Sequence, residues 1–288
     1  MSSTLWELDF YSRPVLDENQ KKRWEILICE GLQSVQDDPA EQFRYSKFVS
    51  NKEVNSIELK KAIAEAIEQA PEPPTRVRFF RYSMQNMIMR ACEEMAIPAK
   101  VSRRTLALQQ WLEDRKETFY PQQEGYQPGA SPSVSQPLEV PKPLPDALLG
   151  QQWAFVTLSA GDFAEMPEWE IDFSEAFPLT GSGVDSNIPI PGLLIFSPRA
   201  LPLAGWMSGL ELASIKPQPG EGARLLLETG SIDTWILASL GTPALKQEAA
   251  DFQAAKQKAN GVHFVGVQAS PEAESFAGFW LLQERAFG

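Results

Sequence analysis

The sequence predicts an α/β protein of two domains, and three observations carry that expectation. Over the first 120 residues, apolar positions alternate in short runs and recur at helical spacing between them. A proline-rich stretch covers residues 121–147, and a second series of strands and helices fills 148–288. At 288 residues the chain is long enough for two cores, and 43% hydrophobic content with eight tryptophans marks a folded protein.

Trp6, Leu8 and Phe10 alternate with Glu7, Asp9 and Tyr11, a half-buried strand that Arg13-Pro14 is expected to end. A polar turn leads to a returning strand from Lys22 to Cys29, and Phe43 to Val49 supplies a third. Ser50 and Glu53 match a capping box, followed by Ile57, Leu59, Ile63, Ala66, Ile67 and Ala70 on one helical face. A strand rich in aromatics then runs from Val77 to Tyr82. Ser83 is placed to cap a helix with Met84, Met87, Ile88, Ala91, Cys92 and Met95 inward. Pro98 stops that helix, Lys100-Val101 suits a short strand, and Ser102 opens a helix that buries Leu108, Trp111 and Leu112. An antiparallel triplet extended by two crossover strands is the element order of a ribonuclease-H-like domain.

Prolines 121, 128, 132, 137, 141, 143 and 145 make the joining segment a polyproline-type spacer. Beyond it, Trp153–Leu158 reads as a strand and Asp162–Glu175 as an exposed acidic loop. Leu193–Phe196 is a buried strand, and 200–210 a helix. Thr229-Gly230-Ser231 signals a hairpin between the runs 225–227 and 235–237. Thr242 and Pro243 open a helix that Gly261 closes, and 262–267 and 276–282 complete the domain as strands. From 210 to 267 the order echoes the first domain, as a degenerate repeat would.

Charge is distributed unevenly. The chain carries −12, yet residues 1–125 hold 18 Lys and Arg against 20 Asp and Glu, which leaves −10 for the rest. Between Arg76 and Leu112, seven basic residues face two acidic ones. Arg81 and Tyr82 follow one strand and Ser102-Arg103-Arg104 another, at strand ends where ligands collect in α/β sheets. Two readings are open: a solvated rim of ordinary ion pairs, or a patch for RNA phosphates.

The element order also invites a test for catalysis. Metal-dependent nucleases of this fold gather three carboxylates; Asp9 suits the first, and Glu53 or Glu58 the second. The fourth strand ends in Arg78-Phe79-Phe80-Arg81-Tyr82, without an acid, so a non-catalytic version is expected. One histidine (His263, read as a core residue) and two distant cysteines form no zinc ligand set, and phosphate-loop and nucleophile-elbow motifs are missing. Neither a metal nor a cofactor is expected. No apolar run is long enough to span a membrane. Cys29 and Cys92 sit in apolar elements, as reduced thiols would, and the chain's start reads as a strand with no leader; a cytoplasmic location is expected.

The blocks WELDFYSRPVLDENQKKRWEILIC, RFFRYSMQNMI, SRRTLALQQWL, GVHFVGVQ and FAGFWLLQ occur in order from Trp6 to about Gln283, and they resemble the Tab/Atab family. These are RNA-binding translation factors for photosystem messages in chloroplasts, with cyanobacterial relatives. The resemblance implies binding to the untranslated leader of a photosystem I reaction-centre mRNA, promoting its translation and photosystem assembly. Without a transit peptide, the chain looks like a bacterial member, located in the cytoplasm or at the periphery of thylakoids. The family's closing Trp-Leu-Leu, here Trp280-Leu281-Leu282, is associated with RNA binding. Trp280 itself admits two readings, stacking on an unpaired base or filling the core beside Leu282. The expected RNA contacts are then Arg81, Arg103 and Arg104 for phosphates, Tyr82 for stacking, and Trp280, Leu281 and Leu282 from the second domain. The expected partner is a single-stranded mRNA leader, with translation or photosystem assembly proteins as further partners. The rival reading is an assembly scaffold that binds protein and no RNA.

Overall fold

The computed structural model describes residues 4–129, 139–148, 150 and 152–285. They form a mixed α/β structure of two compact units. The first holds residues 4–32 and 38–129, the second 33–37 and 139–285 as far as described.

In the first unit, β1 (Leu5–Leu16), β2 (Lys22–Glu30) and β3 (Arg44–Val49) form an antiparallel meander. Helix α1 (Ser56–Gln69) crosses to β4 (Arg76–Phe79), which pairs parallel with β1. Helix α2 (Gln85–Glu93) then leads to β5 (Ala99–Val101), parallel to β4, and α3 (Leu106–Asp114) follows. The sheet order is β3-β2-β1-β4-β5. Period-two alternation decides the two faces. Trp6, Leu8, Phe10, Ile26 and Ile28 pack against Leu59, Ala62, Ile63 and Ala66 of α1 and Ile88, Ala91 and Cys92 of α2. The intervening residues of β1 and β2, including Glu7, Asp9, Arg13, Arg23 and Glu25, point to the other face.

Several boundaries differ from the sequence expectation, each for a local reason. Strand β1 continues past Arg13-Pro14 because the pairing with β2 breaks between Ser12 and Leu16, so the missing N–H of Pro14 costs no ladder bond. The Ser50–Glu53 capping box exists but opens a 3-10 turn over Asn51–Glu53. Asn55 caps α1 instead, its side chain accepting from the Glu58 N–H at 2.9 Å. Ser83 caps nothing, because a 3-10 turn over Tyr82–Met84 runs straight into α2. Nor does Ser102 start α3; its hydroxyl accepts from the Arg104 N–H at 3.0 Å, and the helix begins four residues later.

The joining segment is held at both described ends, unlike a plain spacer. Gln127 donates to the Pro14 carbonyl and Leu16 to the Gly125 carbonyl, at 2.8 and 2.9 Å. Pro132 and Pro137 lie outside the described residues. At the far end, β6 (Lys142–Pro143) pairs with a strand of the second unit.

That second unit contains two sheets. One comprises β7 (Gln152–Ser159), β8 (Ile171–Glu175), β9 (Pro189–Phe196), β13 (Val262–Gln268) and β14 (Phe276–Gln283), in the order β7-β9-β13-β14-β8. The other is β10 (Leu212–Gln218), β11 (Arg224–Thr229) and β12 (Asp233–Ser239), joined by β6. Helices α4 (Ala200–Ser208) and α5 (Pro243–Lys258) complete it. The stretch expected as an acidic loop is a 3-10 helix over Ala160–Glu168 followed by β8, since Phe163 and Met166 supply a buried face. The echo of the first unit is partial. In the first unit β1 pairs with β4, whereas β10 and β13 belong to different sheets here. Between them, His263 Nε2 accepts from the Ile215 N–H at 2.9 Å and Lys256 Nζ donates to the Ile215 carbonyl at 2.8 Å. Side chains thus satisfy backbone groups that a continuous ladder would otherwise pair. Gly261, at φ +78°, makes the turn after α5; a Cβ there would meet the Glu284 carbonyl oxygen at 2.2 Å.

Candidate nucleic-acid interface

The polar face of the first sheet gathers charges from distant parts of the chain. Asp9, on the central strand, is fully buried. Its Oδ1 lies 2.6 Å from Arg81 Nε and its Oδ2 2.9 Å from Arg13 Nη1. Arg13 also reaches Glu25 Oε2 at 3.0 Å, where the Tyr120 hydroxyl donates at 2.6 Å, and Arg115 pairs with Glu25 Oε1. Glu7, two residues before Asp9 and on the same face, accepts from the Leu108 N–H at 2.8 Å. It therefore caps the N-terminus of α3 in place of a side chain from the helix's own start. Burial alone would raise the Asp9 carboxyl, but Arg81 and then Arg13 outweigh it and hold it below the usual carboxylate range.

This geometry sets the roles open to the expected site residues. Arg81, 6% exposed, spends its guanidinium on Asp9 and lies over the Tyr11 and Phe80 rings at 4.0 and 4.8 Å. Arg104 is buried and Arg103 half-buried, with the Arg103 carbonyl accepting from Gln109 Nε2 at 3.3 Å. Tyr82, at 47% exposure, is open to solvent at the end of β4. The two runs meet at that sheet end, where the Ser102 N–H donates to the Phe79 carbonyl at 2.8 Å.

In the second unit Trp280, Leu281 and Leu282 are at most 3% exposed in the second half of β14. Trp280 and Leu282 share the core with Leu203, Ala204, Met207 and Leu227, while Leu281 points to the opposite side of its sheet. Direct stacking of Trp280 on a base is not available to a side chain held this way.

The carboxylates weighed as metal ligands are engaged elsewhere. Glu53 accepts from the Ser50 N–H at 2.8 Å, and Glu58 pairs with Lys47 at 2.9 Å and Lys61 at 3.3 Å. Among the described residues no three His, Cys, Asp or Glu side chains are grouped to hold a metal ion. A metal at Asp9 would have to displace two guanidinium groups. Sequence reasoning missed this clamp because Arg81 lies 72 positions from Asp9, and because Arg13 was expected to end the strand that in fact carries it.

These features define a class: a two-domain α/β protein whose first sheet closes its buried carboxylates with arginines. The chain belongs to the family of RNA-binding protein Tab2/Atab2, whose N-terminal domain matches residues 5–115 and whose C-terminal domain matches residues 131–283. It is 39% identical over 287 residues to a protein of Arabidopsis thaliana named Protein TAB2 homolog, chloroplastic, covering 96% of this chain and 74% of that one. A protein of the same name from Zea mays is 37% identical over 285 residues, covering 96% and 70%. No solved structure matches. Among the described residues no helix is long and apolar enough to cross a membrane.

Proposed function

We propose that this chain binds the single-stranded leader of a photosystem reaction-centre message and promotes its translation and photosystem I assembly, without cutting the RNA. Membership of the Tab2/Atab2 RNA-binding family supports the RNA partner, and the relatives named chloroplastic support a photosynthetic setting; the proposed location is the cytoplasm or the thylakoid surface. The observation that carries the non-catalytic part is the Asp9 clamp. Arg81 and Arg13 fill the space around the carboxylate where a nuclease needs a cation.

Sequence-specific RNA recognition favours unpaired bases. With a net charge of −12 the protein makes few phosphate contacts, so affinity falls only shallowly with salt. Crosslinking in cells, followed by sequencing of the attached RNA, tests the target. Enrichment of a reaction-centre leader is expected; recovery of photosystem or translation proteins without RNA would favour the scaffold reading instead. A salt titration of the purified complex checks the second point, because a loss of several decades on modest salt addition contradicts it.

A further inference from the structure

The Trp280-Leu281-Leu282 element is buried in the second unit and the clamp occupies Arg81, which leaves the RNA-contacting surface of the first unit to be identified. We propose that the RNA-contacting surface of the first unit is the aromatic–arginine ladder of Arg23, Phe48 and Phe119, with Arg44 beside it, at the β2–β3 edge. The proposal rests on the RNA-binding reading above and names the site within it.

Register puts these residues together. Phe48 pairs with Glu25, so Phe48 and Arg23 share the polar face, away from the hydrophobic core. Phe119 follows α3 in a wide π turn, and its ring stacks on Phe48 at 6.3 Å with 15° between planes. Arg23 lies over the Phe48 ring at 4.1 Å, and Arg115 over Phe119 at 3.8 Å. Arg44 lies on the same face of β3 as Phe48, its guanidinium 5.5 Å from the Trp111 ring. The order of the sheet leaves β3 at its margin.

Two properties separate this ladder from the rest of the polar face. Arg13, Arg81 and Arg115 are spent on Asp9 and Glu25. Among the described residues, Arg23 and Arg44 have no carboxylate within ion-pair distance. Arg44 is exposed and Arg23, Phe48 and Phe119 are half-buried, so rings and guanidiniums are both within reach of a ligand. Lys21 and Lys22 precede Arg23, and the nearby Asp17 carboxylate is occupied by the N–H groups of Asn19 and Lys21. Flat rings beside uncompensated guanidiniums suit an unpaired base and its phosphates. Arg23 gives up its place over Phe48 to the base and takes the phosphate.

The test measures equilibrium binding of a labelled, unstructured oligoribonucleotide by the full chain and by Arg23→Glu and Phe48→Leu variants, with urea unfolding to verify that each remains folded. Phe48→Leu keeps the apolar volume and removes the π face. A loss of about 5- to 100-fold in affinity is expected for each, and photocrosslinks should map to the peptides containing Phe48 and Phe119. Wild-type binding matched by both folded variants overturns this site alone, as do crosslinks confined to other peptides. Absence of wild-type binding overturns the RNA-binding reading as well.

Discussion

Replacing Glu25 by Gln lowers the stability of the first unit by about 3–5 kcal/mol, the range for removing one member of a buried ion network. Glu25 is fully buried and receives Arg13, Arg115 and the Tyr120 hydroxyl. The variant is nearly isosteric, so packing is kept while two guanidiniums lose a compensating charge in a low dielectric. Asp9→Asn acts the same way through Arg81 and Arg13, whereas Glu53→Gln, at a solvent-exposed turn, changes stability little. Urea unfolding followed by tryptophan fluorescence reads the difference, with Trp6 and Trp24 reporting on this unit. Equal midpoints for Glu25→Gln and Glu53→Gln would show that the network is not structural.

Acid weakens the second unit well before ordinary carboxylates titrate. His263 is buried, donating from Nδ1 to the Gly261 carbonyl at 2.8 Å, which leaves Nε2 as the acceptor for Ile215. Protonation removes that acceptor and adds a third cation beside Lys256 and Lys216. Burial, then Lys256, depress the imidazole to about 3. The neighbouring charges are Lys256, Lys216 and Glu284, with Glu284 bonded to both lysines at 2.6 and 2.7 Å. An unfolded histidine takes up its proton near pH 6.5, so from there down to about 3 the unfolded chain holds one proton more than the folded one. Stability is therefore full above 6.5 and falls by about 1.4 kcal/mol per pH unit below it. The Asp9 contribution follows the depressed-acid rule and is lost only at lower pH, as its carboxyl protonates. Because His263 is the only histidine, the slope between about pH 6.5 and 5 belongs to it. That slope should vanish in His263→Gln; a wild-type stability that stays flat across this window contradicts the assignment.

The element order of the first unit was legible because each strand and helix carries its own period of apolar residues, and the same alternation places Trp280 and Leu282 on one buried face. What the chain did not reveal is which charges cancel. Counting seven basic residues between Arg76 and Leu112 marks a patch, yet Arg81 finds Asp9 across 72 positions and goes below the surface. Helix starts shifted for a related reason: the first turn of α3 donates to Glu7 of β1, while the Ser102 hydroxyl is used by the Arg104 N–H before the helix begins. Phe48 reads as one more apolar residue in the run 43–49, and only the register against Glu25 shows that it faces away from the core. The split between β10 and β13 was equally hidden, since the side chains that bridge them, His263 and Lys256, meet the N–H and the carbonyl of a single distant residue, Ile215.

The most direct measurement incubates the purified chain with single-stranded RNA in the presence of magnesium and follows both retardation and strand length. Arginines filling the space at Asp9 predict RNA that is bound and recovered full-length, with or without a chelator. Shortened RNA that appears with magnesium and disappears when the ion is chelated would contradict the account.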